Sequence, residues 1–285
     1  MSTLEMTLKQ YLQSGSIVKM LSKIKLNIYK RFFPFFSVFY YYGTKVYIPK
    51  RSHLIMRYLE DGEYEQKNIN IIQALVTNDS VFIDVGANIG LVSLAILNKC
   101  PSCRVVSFEP SPNTIQLLLR TAQTSNFYER WHVIPKALGN DIGTLDFFAA
   151  SPDMGAFDGF RDTKRAGETK KVSVSVTTLD NEWEAMGKPT VSFIKIDVEG
   201  AEIMVLQGAT NCIKHERPHI LIEWSRDNLP TYNIEPHSIL DWASSVEYKI
   251  FSMPELIPIN NPLDLKLQML LTEDFLLAPN CINVK

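Results

Sequence analysis

The run Ser192-Phe-Ile-Lys-Ile-Asp-Val-Glu-Gly200 sets Lys195, Asp197 and Glu199 at alternate positions of an otherwise apolar stretch. Read as a strand, it has a side-chain period of two. Ile194, Ile196 and Val198 then share one face, and Lys195, Asp197 and Glu199 the other. Charges on an interior strand are costly unless they pair or meet a polar ligand. One reading is therefore an ion-paired network that orders strand ends. The other is chemical: carboxylates at the carboxyl ends of parallel strands, where open α/β sheets bind ligands, attract a cation or accept a hydroxyl proton. Glu223, ending the next apolar strand, adds a third candidate. Oxygen donors suit magnesium, but no spaced set of three ligands stands out, and no metal is expected.

A second stretch, Val81-Phe-Ile-Asp-Val-Gly-Ala-Asn-Ile-Gly90, is apolar on both faces, as a strand buried on both sides requires. Gly86 and Gly90 bracket a tight turn into an apolar helix over Leu91–Leu97. Gly86 is expected to let the backbone bend and approach a ligand. The first turn of the helix offers N–H groups to a carboxylate or phosphate. The next strand, Arg104–Phe108, ends in Glu109, 25 residues beyond Asp84. A Rossmann-type site grips ribose hydroxyls with an acidic group at that strand tip. A buried strand pair with an ordinary surface Glu is the bland alternative; the two features together favour a nucleoside-type ligand. No Gly-x-Ser-x-Gly elbow, Gly-Lys-Ser/Thr loop or His-Glu-x-x-His helix is present.

These strand tips need alternating strands and helices to position them. Lys45–Pro49 reads as a short strand, and His53–Tyr58 and Glu63–Val76 as helices separated by Asp61-Gly62. After Glu109, Ser111 reads as an N-cap and Pro112 as a first helical residue. Trp131–Ile134 is a third strand. Thr144–Ala149 and Val172–Thr177 alternate like an antiparallel pair, and the long loop Ser151–Lys171 between them is expected to edge an acceptor pocket. Val191–Val198 and His219–Trp224 are the fourth and fifth core strands. Helix Ile239–Val246 and strand Lys249–Met253 follow, then a terminal strand over Leu265–Leu271 or Asp274–Leu277.

The net charge of −2 hides an asymmetry: residues 1–60 hold ten Lys/Arg against Glu5 and Glu60, a net +8, leaving −10 for the rest. Ile17, Met20, Leu21, Ile24 and Ile28 recur at helical spacing among lysines and lead into Arg31-Phe-Phe-Pro-Phe-Phe. Such an arm is a lid on the core, a contact to a membrane or lipid-linked substrate through residues 17–42, or a self-association element. No apolar run reaches 18 residues, and the first residues lack a signal peptide's features. Cys100-Pro-Ser-Cys103 lacks the other half of a zinc site, and reduced thiols fit a cytoplasmic enzyme, peripheral to a membrane at most. An acidic body without an Asn-Pro-Pro-Tyr-type motif argues against nucleic acid as partner.

Phe82-Ile-Asp-Val-Gly-Ala-Asn-Ile-Gly90, Phe108-Glu-Pro-Ser-Pro112, Thr178-Leu-Asp180 and Ile194-Lys-Ile-Asp-Val-Glu-Gly-Ala-Glu202 resemble the successive motifs of the FkbM family of S-adenosylmethionine-dependent methyltransferases. The resemblance covers roughly residues 60–280. It implies an α/β, Rossmann-like class I methyltransferase: a mostly parallel seven-stranded sheet with a reversed terminal strand and helices on both faces. The chain then divides into a basic, aromatic, helical arm or lid over residues 1–58 and a catalytic domain over 59–285, with 144–177 an inserted hairpin near the acceptor pocket. S-adenosylmethionine is the implied cofactor. Asp84, Gly86, Ala87, Asn88 and Gly90 would line its methionine part and Glu109 its ribose diol, with Pro110, Lys136 and Ala137 completing the site. Asp197 would sit beside the reacting methyl group. The implied reaction is methyl transfer to a hydroxyl of a small molecule, sugar, glycan or related natural product, with Asp197, Glu199 and Glu223 as catalytic candidates. Which carboxylate is the base stays open. A nicotinamide-dependent oxidoreductase would prefer a glycine where Asn88 stands; a non-catalytic cofactor-binding scaffold recruited by its basic arm is the third class.

Overall fold

Runs that are apolar on both faces can only sit in the middle of a covered sheet, and the strands sort by that rule. The computed structural model describes residues 37–61, 64–165 and 167–280, the side chains of 59–61, 156 and 157 aside. A hairpin of β1 (Val38–Tyr41) and β2 (Thr44–Tyr47) precedes helices α1 (His53–Asp61) and α2 (Gln66–Leu75). Alternation follows through β3 (Val81–Val85), α3 (Leu91–Lys99), β4 (Arg104–Phe108), α4 (Ile115–Thr124) and β5 (Trp131–Ile134). A small three-stranded sheet is built from β6 (Ala137–Leu138), β7 (Gly143–Ala149) and β8 (Lys170–Thr177). Then come α5 (Leu179–Ala185), β9 (Val191–Ile196), α6 (Glu202–Gln207), α7 (Thr210–Glu216) and β10 (His219–Glu223). The chain closes with α8 (Ser238–Ser245), β11 (Tyr248–Ser252), β12 (Ile257–Ile259), α9 (Pro262–Gln268) and β13 (Asp274–Pro279).

The main sheet has the order β12-β11-β13-β10-β9-β3-β4-β5. Strands β10, β9, β3, β4 and β5 run parallel, and β13 is reversed between β10 and β11. Val81, Ile83 and Val85 pack into one apolar layer. Phe82 points the other way, against Phe193 with ring centroids 6.0 Å apart. Each such fully buried side chain contributes roughly 1.5–3 kcal/mol. Strand order reverses at β3, with β4 on one side and β9 on the other, so the crevice at their carboxyl ends is the switch point where such sheets bind ligands. Among the described residues, no helix is long and apolar enough to cross a membrane.

Four expectations need correction. The sheet has eight strands rather than seven, because Ile257–Ile259 adds an edge strand to β11. Leu265–Leu271 is not a strand: Asn261 Oδ1 accepts the N–H groups of Leu263 and Asp264 and caps α9, leaving Asp274–Pro279 as the terminal strand. Ser111 and Pro112 do not open a helix; α4 begins at Ile115, and Ser111 Oγ closes a turn on the Asn113 N–H at 3.1 Å. Val38–Tyr41, part of the arm expected to be helical, is a strand instead, and it pairs with the short strand expected from Lys45 to form a hairpin whose Phe39 and Tyr41 pack on Tyr58. The periodic segment 17–28 lies outside the described residues.

Candidate active site

The carboxyl ends of β3, β4, β9 and β10 open into one cavity of about 240 Å³. It brings together Asp84, Gly86, Ala87, Asn88, Glu109, Pro110, Lys136, Ala137, Asp197, Glu199 and Glu223. Of the sequence-derived site residues, Gly90 alone does not line it. Its φ is +83°, and a Cβ there would lie 2.6 Å from Leu118 Cδ1 and 2.7 Å from Trp131, so it serves the packing of α3 on the sheet. Gly86 also answers to the protein. At φ +81°, an added Cβ would lie 1.8 Å from the Asp197 carbonyl oxygen, so the neighbouring strand tip already excludes a side chain there.

At one end of the cavity, Glu109 is held by main chain. Its Oε2 accepts the Asn88 N–H at 2.7 Å and its Oε1 the Ser111 N–H at 2.8 Å. Asn88 takes a left-handed conformation, φ +51°, in that turn, and its amide donates to the Gly155 carbonyl at 3.2 Å. Burial pushes Glu109 up to about 7, against the pull of both N–H groups. The 3-10 segment Pro152–Phe157 is tied to the same end: Asp158 accepts from Ser111 Oγ, from the Asn113 amide and from the Ala150 N–H.

At the other end, side chains hold side chains. Lys195 is paired in register with Asp84 across β3 and β9, and its Nζ donates to Asp197 Oδ2 at 2.7 Å. Burial opposes the charge on Lys195, but Asp197, Glu65, Tyr64 and Asp84 together hold its pKa well above the lysine value. Burial raises Asp84, which accepts from Ser93 Oγ at 2.5 Å and ends a chain running through Ser107 to the Trp131 indole N–H. Glu199, at φ +56° beyond the strand, accepts from Arg165 at 2.9 Å and from the Asn228 amide at 3.0 Å. Burial, then the Asp197 charge, push Glu199 up to about 8. Among the described residues Glu223 receives a long 3.5 Å contact from Asn228, and burial with Asp197 and Glu199 raises it well above the glutamate value. Glu202 fixes the turn by accepting the Val198 and Gly200 N–H groups at 3.2 and 2.9 Å.

Oxygens of Asp197, Glu199 and Glu223, the three carboxylates expected at these strand tips, lie within 4.8 Å of one another. Sequence reasoning also missed His53, Arg57, Tyr64 and Glu65, which line the cavity from α1 and the turn before α2. The expected helix Glu63–Val76 starts only at Gln66, and Glu65, at φ +44°, turns inward instead. From the long loop, Arg165, Phe160 and Gly155 line the cavity. The Thr178-Leu-Asp180 motif is structural: Thr178 caps α5, and Asp180 accepts the N–H groups of Asn211 and Cys212 at 2.9 and 2.8 Å.

A reversed strand slotted between the fifth and sixth parallel ones, with this crevice at the switch point, makes the domain a class I methyltransferase fold. The methyltransferase FkbM domain matches residues 84–250, more than half of the chain, and the chain belongs to that family. It is 28% identical over 161 residues to methyltransferase sdnD of Sordaria araneosa, covering 47% of this chain and 62% of that protein. The hexuronic acid methyltransferase AglP of Haloferax volcanii is 28% identical over 158 residues, 55% of this chain and 61% of its own length. The 2-O-methyltransferase NoeI of Sinorhizobium fredii is 25% identical over 193 residues, 62% and 76% respectively. The chain thus spans about three-fifths of the first two relatives. A crystal structure of an FkbM methyltransferase from Methylobacillus flagellatus superposes with a TM-score of 0.47 at 17% identity, covering 79% of this chain and 52% of that one.

Proposed function

We propose that this protein is an S-adenosylmethionine-dependent O-methyltransferase acting on a hydroxyl of a sugar, glycan or related small molecule. One observation carries the reading: a single cavity joins the backbone-held Glu109 to the carboxylates Asp197, Glu199 and Glu223. The lining fits the cofactor by its chemistry. Eight carboxyl groups (Glu65, Asp84, Glu109, Asp158, Asp197, Glu199, Glu223 and Glu273) outnumber Arg57, Lys136, Arg165 and Lys195, an excess of acidic groups whose ionised forms a cationic ligand would favour. Glu65 Oε2 is buried there without a hydrogen-bond partner among the described residues. The relatives named for hexuronic acid and for 2-O-methylation support a sugar-related acceptor.

Glu109 would hold the ribose diol, and the Gly86–Asn88 turn with Asp84 the methionine part. When bound, S-adenosylmethionine supplies an electrophilic methyl group on a sulfonium centre. The protein must align an acceptor hydroxyl and remove its proton. Asp197 is ion-paired with Lys195 at 2.7 Å, which holds it in place as a fixed electrostatic wall. Glu199, pushed to about 8, matches the acidity a general base needs near neutral pH. We assign it that task, with Glu223 as its neighbour in the shared proton inventory. Alignment is worth up to roughly 7–11 kcal/mol in such reactions.

Isothermal titration with S-adenosylhomocysteine, followed by mass spectrometry of sugar acceptors incubated with donor, tests the proposal. Binding and a methyl mass increment on a hydroxyl are expected. A folded protein that binds no S-adenosylhomocysteine would overturn it.

A further inference from the structure

The hairpin β1–β2 has two unlike faces. Phe39, Tyr41 and Val46 turn inward to Tyr58 and the apolar layer behind β3. The other face follows from the register: Tyr40 is paired with Lys45 and Val38 with Tyr47. Tyr40 is 68% exposed there, and Tyr42 at the turn 41%. Tyr47 on the same face is covered by two cations, the Lys45 ammonium 5.1 Å and the Arg120 guanidinium 4.1 Å from its ring centre. Arg120 comes from α4, the helix that takes β2 on its side through the Tyr47 N–H to Thr121 Oγ1 bond of 3.0 Å.

The surface made by these elements carries one sign of charge. Residues 37–52 contain Lys45, Lys50 and Arg51 and no Asp or Glu; residues 110–124 contain Arg120 and again no Asp or Glu. All four cations are exposed. The sequence just before the hairpin adds Lys30-Arg-Phe-Phe-Pro-Phe-Phe36. Exposed aromatic rings that keep one polar end, interleaved with lysine and arginine, suit a boundary that is apolar inside and anionic outside. Residues 1–36 of this chain hold six Lys/Arg against Glu5, so like charge disfavours them as the cover of this face. A second copy would present the same cationic face.

We propose that the outer face of the β1–β2 hairpin, with the turn Lys50-Arg51 and Arg120, docks the protein on an anionic phospholipid bilayer. The docking element runs directly into α1, whose His53, Leu54, Arg57 and Tyr58 line the cavity, so a bilayer there lies beside the cavity wall. This docking stands apart from methyl transfer, because it is read with neither donor nor acceptor present.

The test is co-sedimentation of the full chain with vesicles of phosphatidylcholine alone and of phosphatidylcholine with phosphatidylglycerol. Binding to the anionic vesicles only, reversed by salt, is expected. Each basic side chain near such a surface is worth about fivefold, so Lys45→Gln/Lys50→Gln/Arg51→Gln should lower the partition constant about 100-fold. Lys50→Gln alone should lower it about fivefold and guards against a misfolded triple variant. Lys170→Gln/Lys171→Gln/Lys188→Gln removes the same charge from elsewhere and should change little. No binding to anionic vesicles, equal losses in both triple variants, or a preference for a soluble acidic polysaccharide over the vesicles would each overturn the proposal.

Discussion

Two glutamates border the same cavity, and they are held in opposite ways. Glu109 is fixed by the N–H groups of Asn88 and Ser111, which cannot move unless the turn after β3 or the Pro110–Asn113 turn moves. Glu199 is fixed by the tips of Arg165 and Asn228, and Arg165 comes from the long loop beyond the 3-10 segment Pro152–Phe157. Main-chain donors give a carboxylate of constant place, which suits gripping a ligand. Side-chain donors, with Asp197 and Glu223 close by, give one whose proton is negotiable, which suits catalysis. On the proposed roles, one residue type serves two tasks because the donors differ.

Replacing the negotiable carboxylate sharpens that contrast most. Glu199→Gln should slow methyl transfer by about 10²–10⁴-fold, the usual range for a general base, while affinity for S-adenosylhomocysteine stays near wild type. Single-turnover transfer and calorimetry on the same sample separate the two. Since burial pushes Glu199 up to about 8, the ionised base accumulates as pH rises, so the rate should climb through about pH 8 and level off above it. The Gln variant should lack that limb. An unchanged pH profile would move the task to Glu223 or Asp197. The complementary change, Glu109→Ala, should weaken S-adenosylhomocysteine binding by roughly 10–100-fold, since hydrogen bonds to a charged group contribute about 1.5–3 kcal/mol. Transfer at saturating donor should suffer far less. If both substitutions reduce binding alike, the division of labour fails.

The gripping end was legible in the sequence because it is local: a strand, a glycine turn and an acidic residue at the next strand tip are read off the chain in order. The strands of the sheet were legible for the same reason. At the other end Asp197, Glu199 and Glu223 were legible as carboxylates at neighbouring strand tips, but Arg165 and Asn228, which arrive from distant loops to hold Glu199, were not. Local signals also competed. Leu265, Leu267, Met269 and Leu271 alternate like a strand, yet Asn261 and Pro262 start a helix there. Tyr64-Glu65 read as helix, while a left-handed Glu65 turns it into cavity wall.

Smaller effects test the energetics. Burial raises Glu109, Glu202 and Asp274 to about 7 and Glu199 to about 8, from ordinary values of 4.5 for Glu and 3.8 for Asp. A folded state that holds protons more tightly than the unfolded one loses stability as pH rises between those values. The melting temperature of the ligand-free protein should therefore fall steadily between about pH 5 and pH 8. A rise over that window would mean that the main-chain donors at Glu109 outweigh its burial.

The smallest expected change concerns Arg165. Its guanidinium is partly exposed and donates to Glu199 at 2.9 Å, so solvent screens much of the pair's worth, and stability should barely respond to Arg165→Gln. The titration should respond. Arg165 lowers the Glu199 pKa against burial and against the Asp197 charge. Without it the midpoint of the rate–pH profile should move to higher pH, while the plateau rate and S-adenosylhomocysteine affinity stay close to wild type. Asn228 still donates to Glu199 at 3.0 Å, so the base keeps its place. A lower plateau with an unmoved midpoint would give a different answer: Arg165 would then act on the acceptor, and the loop that carries it would belong to substrate binding rather than to the tuning of the base.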